Sequence, residues 1–319
     1  MDSELAETKS IPAWAGPSDI SAKGWVGVLG RVRKQISDDN LSIIAAGAAF
    51  YGLLALFPAM AALVSIYGLF TDPQAVEQQM QSVQSVLPAQ AAQLLQQQMH
   101  RVASGAGGAL SLGAIIGFLL TIWSATKGMK SLMTALNVAY DVPETRGLLK
   151  LNGLALLLTL GLLVFAVVAL VAIAFVPAAL AGIGLPGPLA TLVRWLRWPL
   201  LAGASVLVLA ILYRYGVSRP VVGWRWVVWG AVAGTLLWLI GSGLFSWYVS
   251  NFGNYNETYG SLGAVAVLML WFWLSAYFVL LGGELNAEME RRVRDKVRRD
   301  APDAGIRAGR TSEYRRKRT

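Results

Sequence analysis

The chain has no cysteine and a single histidine, His100. The first absence excludes disulfides, thiolate metal sites and cysteine nucleophiles. The second excludes multi-histidine metal centres and most schemes that use histidine as general base. Charge is also scarce. Asp, Glu, Lys and Arg make up 14% of the sequence, where a globular chain carries roughly a quarter. No Gly-x-Ser-x-Gly, phosphate-binding Gly-Lys loop or His-Glu-x-x-His occurs, so no familiar hydrolase or nucleotide motif is present. A cleaved signal peptide is not expected either. Residues 1–22 are polar, with Asp2, Glu4, Glu7 and Pro12 and no apolar core, so the first apolar span is read as an uncleaved anchor.

What is abundant is apolar sequence, 55% of the chain, in runs long enough to cross a bilayer, which takes about 20 helical residues. The expected fold is all-α, a polytopic membrane helix bundle with six transmembrane helices plus amphipathic extracytoplasmic helices. The spans are read at about 43–70, 109–125, 151–176, 198–213, 226–249 and 261–281. Residues 1–22 read as a disordered cytoplasmic tail, 23–290 as the membrane domain and 291–319 as a basic cytoplasmic tail, unstructured from Ala301. In the first span Pro58 is expected to kink the helix. Ala45, Ala46, Gly47, Ala48 and Ala49 offer a small-residue surface for close contact, as do Gly113-xxx-Gly117 and Gly230-xxx-Gly234 in later spans. Leu132–Tyr140 reads as a separate short helix, and Ala178–Arg194 as a Gly/Pro loop.

Two stretches show amphipathic spacing. Residues 73–103 are Gln-rich, carry apolar residues at helical intervals and are divided by Pro88, which predicts an outer helix pair. Between Gly24 and Ile36, Trp25, Val28, Leu29, Val32 and Ile36 recur at helical spacing with Arg31, Arg33 and Lys34 between them. That pattern predicts a short helix on the membrane surface with its basic groups at lipid phosphates. Asp38-Asp39-Asn40 then read as N-cap chemistry for the first span.

The net charge of +9 is distributed unevenly. With six spans, 24 of the 27 basic residues fall on the side of the termini, and only Arg101, Arg194 and Arg197 fall on the other. The positive-inside rule therefore predicts cytoplasmic termini. The expected partners are membrane lipids, with anionic headgroups at the basic cytoplasmic surface. Nucleic acid is not needed to explain the charge. No cofactor and no metal are expected, and a homo-oligomer is compatible with the sequence.

Several fragments together resemble the YihY/virulence factor BrkB family. They are Ala49-Phe50-Tyr51 with Phe57-Pro58; Trp123-Ser124-Ala125, then Ala135-Leu136-Asn137-Val138-Ala139-Tyr140 and Arg146; Tyr213 with Pro220; Phe245-Ser246-xx-Val249; Asn251-Phe252-x-x-Tyr255-Asn256-x-Thr258-Tyr259-Gly260-Ser261-Leu262-Gly263; and Gly283-Glu284-Leu285-Asn286-Ala287. They run in the family's order over roughly Asp38 to Glu290, and Tyr-Gly-Ser-Leu-Gly and Gly-Glu-Leu-Asn are the most specific. The resemblance implies a six-span protein of the bacterial inner membrane. It also brings the family's labels, ribonuclease BN and serum resistance or virulence, and a part in envelope lipid transport, as candidate functions.

Two groups of residues carry the candidate chemistry. Asn251, Tyr255, Asn256, Glu257, Tyr259, Gly260 and Ser261 precede the last span, while Glu284 and Asn286 end it. One reading makes the first set a hydrated loop with interfacial tyrosines. The other makes it a gating segment on a substrate path, since polar backbone at membrane depth is tolerated where it lines a cavity. Glu284 is expected either to pair with Arg146, Arg219 or Arg225 and fix helix packing, or to couple a proton or cation. Pro58, Trp123, Asn137, Tyr140 and Arg146 form a second set, for packing, clamping or headgroup contact. The functions in competition are a transporter or flippase-like protein for an amphipathic or lipid-linked substrate, and a non-transporting envelope scaffold. An enzyme is disfavoured. Metal-dependent nucleases need clustered acids, whereas the cytoplasmic acids here are scattered, and the pair weighed for that role is Asp141 with Glu144.

Overall fold

Long runs of Leu, Val, Ala and Ile in lipid must satisfy their backbone polar groups internally, and a helix does so within one segment. In the computed structural model, which describes residues 20–70, 107–183, 187–252 and 261–316, every regular element among those residues is a helix. They are α1 (Ala22–Asp38), α2 (Leu41–Phe70), α3 (Gly107–Ala139), α4 (Leu148–Ile183), α5 (Gly187–Tyr215), α6 (Trp224–Phe252) and α7 (Ser261–Arg316). Four stretches are long and apolar enough to cross a membrane: Leu148–Ala169, Thr191–Tyr215, Trp224–Asn251 and Val265–Val297. A fifth is added if α1 and the first half of α2, bent by 64°, are taken as one broken span. Exposed apolar side chains cover these helices, among them Leu157 and Val164 on α4, Leu200 and Leu207 on α5, and Leu236, Ile240 and Leu244 on α6. Such a surface needs lipid rather than water around it. The protein is a multi-pass helical membrane bundle. The expected outer pair at 73–103 and the polar run at 253–260 lie outside the described residues.

Helix ends depart from the sequence reading in an instructive way. α3 runs unbroken to Ala139, so the span expected at 109–125 and the separate helix expected at Leu132–Tyr140 are one rod. Lys127 and Lys130 suggest a loop there, yet neither breaks a helix. Lys130 Nζ donates to Asn152 Oδ1 at 2.8 Å and Lys127 lies over the Trp123 ring. α4 continues past position 177, and α5 begins at Gly187 and passes through Pro199. The loop expected at Ala178–Arg194 is therefore mostly helix, as neighbouring spans can re-satisfy backbone groups freed by proline. α2 is one helix through position 58, whose side chain lies outside those described. Residues 301–316, expected to be unstructured, continue α7.

The Asp38-Asp39-Asn40 turn serves α1 more than α2. Asn40 takes φ 52°, its N–H donates to Ser37 O at 3.2 Å, and its side-chain amide donates to Asp38 O. That is a left-handed C-terminal cap, which Asn tolerates better than most residues. α3 ends in the same manner. Asp141 has φ 51°, and Val142 N donates to Asn137 O at 3.0 Å, the long bond of a Schellman turn.

Small residues set the closest helix contacts. On α2, which packs along α3, Ala45, Ala48 and Ala49 are buried, and Ser124 Oγ donates to Tyr51 O at 3.1 Å. α7 is the central strut, meeting α1, α2, α3 and α6. Its Leu280 is fully buried and belongs to the same apolar core as Met133, Leu136 and Tyr213.

Candidate functional site

The most unusual stretch of α7 is 282–290, where only Leu285 keeps partial exposure. A helix buried on all sides needs close neighbours, and Gly282-Gly283 admits them. A Cβ at Gly282 would lie 2.5 Å from both Gly230 O and Tyr213 Oη, and one at Gly283 would overlap Leu136 Cδ2. Tyr213 Oη donates to Val279 O at 2.6 Å, tying α5 to α7 one turn earlier.

Past the glycines the polar residues alternate faces at helical spacing. Glu284, Glu288 and Arg291 share one face, while Asn286 and Glu290 share another. Asn286 is fully buried and bonds α6 twice: its Oδ1 accepts from Gly230 N at 2.7 Å and its Nδ2 donates to Val227 O at 3.1 Å. Glu288 accepts from Arg31 Nε of α1 at 2.5 Å and from Arg291 at 2.5 Å. Arg291 also reaches Asp141 at 2.7 Å and donates to Ala139 O at 2.7 Å. Glu290 accepts from Arg219, which lies between α5 and α6, and that guanidinium stacks 4.0 Å above the Tyr140 ring. The end of α3, α1 and the α5–α6 connection thus meet this stretch of α7 through charge-assisted bonds, and α6 meets it through the neutral amide of Asn286.

A second clasp lies beside the first. Glu144 receives Arg146 Nε at 2.7 Å, Arg146 Nη2 at 2.6 Å and Asn137 Nδ2 at 2.9 Å. Asn137 Oδ1 accepts from Ser218 N at 2.7 Å, and Arg146 donates to the carbonyls of Tyr215 and Gly216. The α3–α4 connection is therefore stitched to the α5–α6 connection. The Arg146 bonds, chiefly, hold the Glu144 carboxyl well down, at about 2. Burial, with Glu290 beside it, pushes the Tyr140 hydroxyl well above its ordinary range.

Glu284 stands apart. It is fully buried, yet neither carboxyl oxygen has a hydrogen-bond partner among the described residues. Its near cation is Arg291 Nη1, at 3.9 Å. The expected pairing with Arg146 or Arg219 does not occur, because each is taken by another carboxylate, Glu144 and Glu290.

Asn137, Tyr140, Arg146, Glu284 and Asn286 are thus brought to the same end of the bundle. Trp123 is not; it is exposed on α3 with Lys127 over its ring. Asn251 closes the far end of α6, donating to Trp247 O at 2.8 Å. Ser261 opens α7 with its side chain outside those described, and Tyr255, Asn256, Glu257, Tyr259 and Gly260 lie outside the described residues altogether. Sequence reasoning misses Arg31, Glu288, Glu290 and Arg291 as members, and it gives Arg219 and Asp141 other partners than Glu290 and Arg291. One signal was available: charges at 284, 288 and 291 fall on one helical face directly after a glycine pair.

The sequence profile of the family described as Virulence factor BrkB matches residues 32–306. This chain belongs to that family. Among the relatives of this BrkB-family chain is a "Putative ribonuclease-like protein YfkH" of Bacillus subtilis. It is 33% identical over 249 residues, 76% of this chain and 88% of that protein. A UPF0761 membrane protein of Alteromonas mediterranea is 36% identical over 101 residues, 32% of this chain and 34% of its own. One from Xanthomonas axonopodis is 35% identical over 99 residues, 30% and 24% respectively. No solved structure matches. The profile takes in both clasps except Arg31, the α1 partner of Glu288.

Proposed function

We propose that this BrkB-family protein is a transporter of flippase type for an envelope lipid or other amphipathic substrate. In this reading α2 to α7 make six spans in a bacterial inner membrane, with both termini and the two polar clasps on the cytoplasmic side. The excess of basic residues at that end supports the orientation. The observation that carries the reading is Glu284, a fully buried carboxyl without a hydrogen-bond partner among the described residues, in a region where its neighbours Asn286, Glu288 and Glu290 all have one. Leaving one carboxyl unsatisfied costs stability, and ionisable groups at such positions in membrane proteins mark pathways and proton relays. The arginine-bound clasps then act as the closed inner gate. The YfkH name points to ribonuclease chemistry, but Asp141 and Glu144 are bound to different arginines, Arg291 and Arg146, so they do not form a paired acidic site.

A specific observation favours a second reading, a non-transporting scaffold. The Gly230–Gly282 contact and the paired bonds of Asn286 lock α6 to α7 without slack. One experiment separates the two. The purified full-length protein is placed in liposomes with fluorescent anionic, zwitterionic and polyprenyl lipids, and transbilayer movement is followed with and without a pH gradient. Transport is expected, and Glu284→Gln should abolish it or remove its pH dependence without unfolding the protein. A folded protein that moves none of these lipids would leave the scaffold.

A further inference from the structure

Four arginines at this end of the bundle, Arg31, Arg146, Arg219 and Arg291, each reach a carboxylate. Arg214, in the last turn of α5, reaches none among the described residues, and its Nε and Nη1 are shielded from solvent without an acceptor. The sequence makes this understandable, because no Asp or Glu occurs between Glu144 and Glu257. The α5–α6 hairpin that holds Arg214 has basic residues and no acid of its own.

What surrounds Arg214 is aromatic. Its guanidinium lies 4.6 Å from the Trp224 ring and 5.5 Å from the Tyr215 ring. Both rings are partly open to the surroundings, at 43% and 39% exposure. Aromatic faces orient a guanidinium and offset part of its desolvation, but they accept no N–H bond in the guanidinium plane. A shielded cation without an anion is costly. The position of the cage says which anion reaches it. One candidate span ends at Tyr215 and the next begins at Trp224, so Arg214 sits at the boundary between lipid tails and water. Trp224 is also the first residue of α6, and the positive end of that helix dipole adds to the attraction for an anion.

We infer that Arg214, Trp224 and Tyr215 form a binding site for the phosphodiester headgroup of an anionic membrane lipid. Nε and Nη1 are shielded, so Nη2 is the nitrogen that donates to a phosphate oxygen, and the fixed charge held beside the two rings supplies the rest of the attraction. The rings hold the guanidinium edge-on to the interface, and the lipid chains run along the exposed apolar face of α5 that includes Leu207. The site adjoins the second clasp at Tyr215, whose carbonyl accepts from Arg146 while its ring faces Arg214, and it stands whether the protein transports or not.

The test is lipid retention by the purified full-length protein in mild detergent, read by native mass spectrometry. Phosphatidylglycerol, phosphatidylcholine and inorganic phosphate are titrated in turn. The expected result is one phosphatidylglycerol held at least roughly tenfold more tightly than phosphatidylcholine, a gap of about 1.4 kcal/mol. Arg214→Gln should remove that preference, and Arg214→Lys should keep part of it. Equal retention of the two lipids, or full retention by Arg214→Gln, overturns the proposal. So does displacement of the lipid by millimolar inorganic phosphate, which would make the ligand a free phosphate. If Arg214→Gln does not fold, Trp224→Leu takes its place, with the same loss expected and retention of the preference as the refuting outcome.

Discussion

Replacing Gly230 with alanine tests the packing argument most directly. A Cβ there would overlap Gly282 O and lie 2.5 Å from Asn286 Cγ and Nδ2. The first obstacle is backbone, so no side-chain rotation relieves it, and α6 must move away from α7. Overpacking of this kind costs about 1–3 kcal/mol. The displacement also breaks the bonds from Asn286 to Gly230 N and Val227 O, both buried, at about 1 kcal/mol each. Alanine's better helix propensity returns about 1 kcal/mol. The net expectation is a loss of about 2–4 kcal/mol. Gly243, on the same helix, has open space for 4 Å around the place a methyl group would occupy, and it serves as the control. Gly243→Ala should be neutral or stabilising by up to about 1 kcal/mol. Equilibrium unfolding of both variants in mixed micelles, followed by circular dichroism, reads the difference. If Gly230→Ala is as stable as Gly243→Ala, the backbone contact does not hold this end of the bundle together.

Other expectations follow from the polar groups. Glu290→Gln should destabilise by about 3–5 kcal/mol in the same assay, since it leaves the Arg219 charge buried without its partner. Glu284→Gln should cost far less, because no hydrogen bond to a described residue is lost; an equal loss in both variants would refute the distinction. Glu144 titrates at about 2 when folded against an ordinary 4.5, so its contribution is complete above the ordinary value and is lost as pH falls toward the folded one. Glu144→Gln should flatten the stability profile across that window and leave its shape unchanged above about pH 5. Finally, the absence of cysteine permits single labels. An environment-sensitive probe at Leu29→Cys, on the outward face of α1, should shift to the blue in anionic nanodiscs and less so when Arg33 and Lys34 are neutralised. A water-like spectrum in every lipid would show that this face does not meet the membrane.

Much of the fold was legible because hydrophobic length is a property of each segment by itself. The runs at 151–176, 198–213 and 226–249 lie inside α4, α5 and α6, and of the small residues of α2, Ala45, Ala48 and Ala49 are buried, Gly47 is half-buried and Ala46 is exposed. Boundaries were less legible. Lys127 and Lys130 resemble loop residues in a hydropathy scan, yet a helix carries them when their ends reach Asn152 or an aromatic face. Helical spacing places Leu29 in the apolar stripe of α1, but it is 57% exposed while Val28 is fully buried. Adjacent residues on a helix differ by about 100°, and spacing alone does not decide which edge of the stripe faces α7.

The candidate site divides in the same way. Asn137, Tyr140, Arg146, Glu284 and Asn286 are recognisable by type and by family resemblance, and the fold brings them to one end. Their pairing is not recognisable. Glu284 has three arginines within plausible reach in the sequence, and neither Arg146 nor Arg219 comes to it. Arg219 goes to Glu290, and Arg146 goes to Glu144, two residues away in sequence. Sequence by itself determined that this chain is helical, membrane-embedded and asymmetrically charged, because apolar length and charge placement act segment by segment. Only the tertiary structure decided which carboxylate meets which arginine. That choice depends on which helix ends and connections are packed together: Arg219 meets Glu290 from 71 positions away, a contact that exists only because the α5–α6 connection lies against α7.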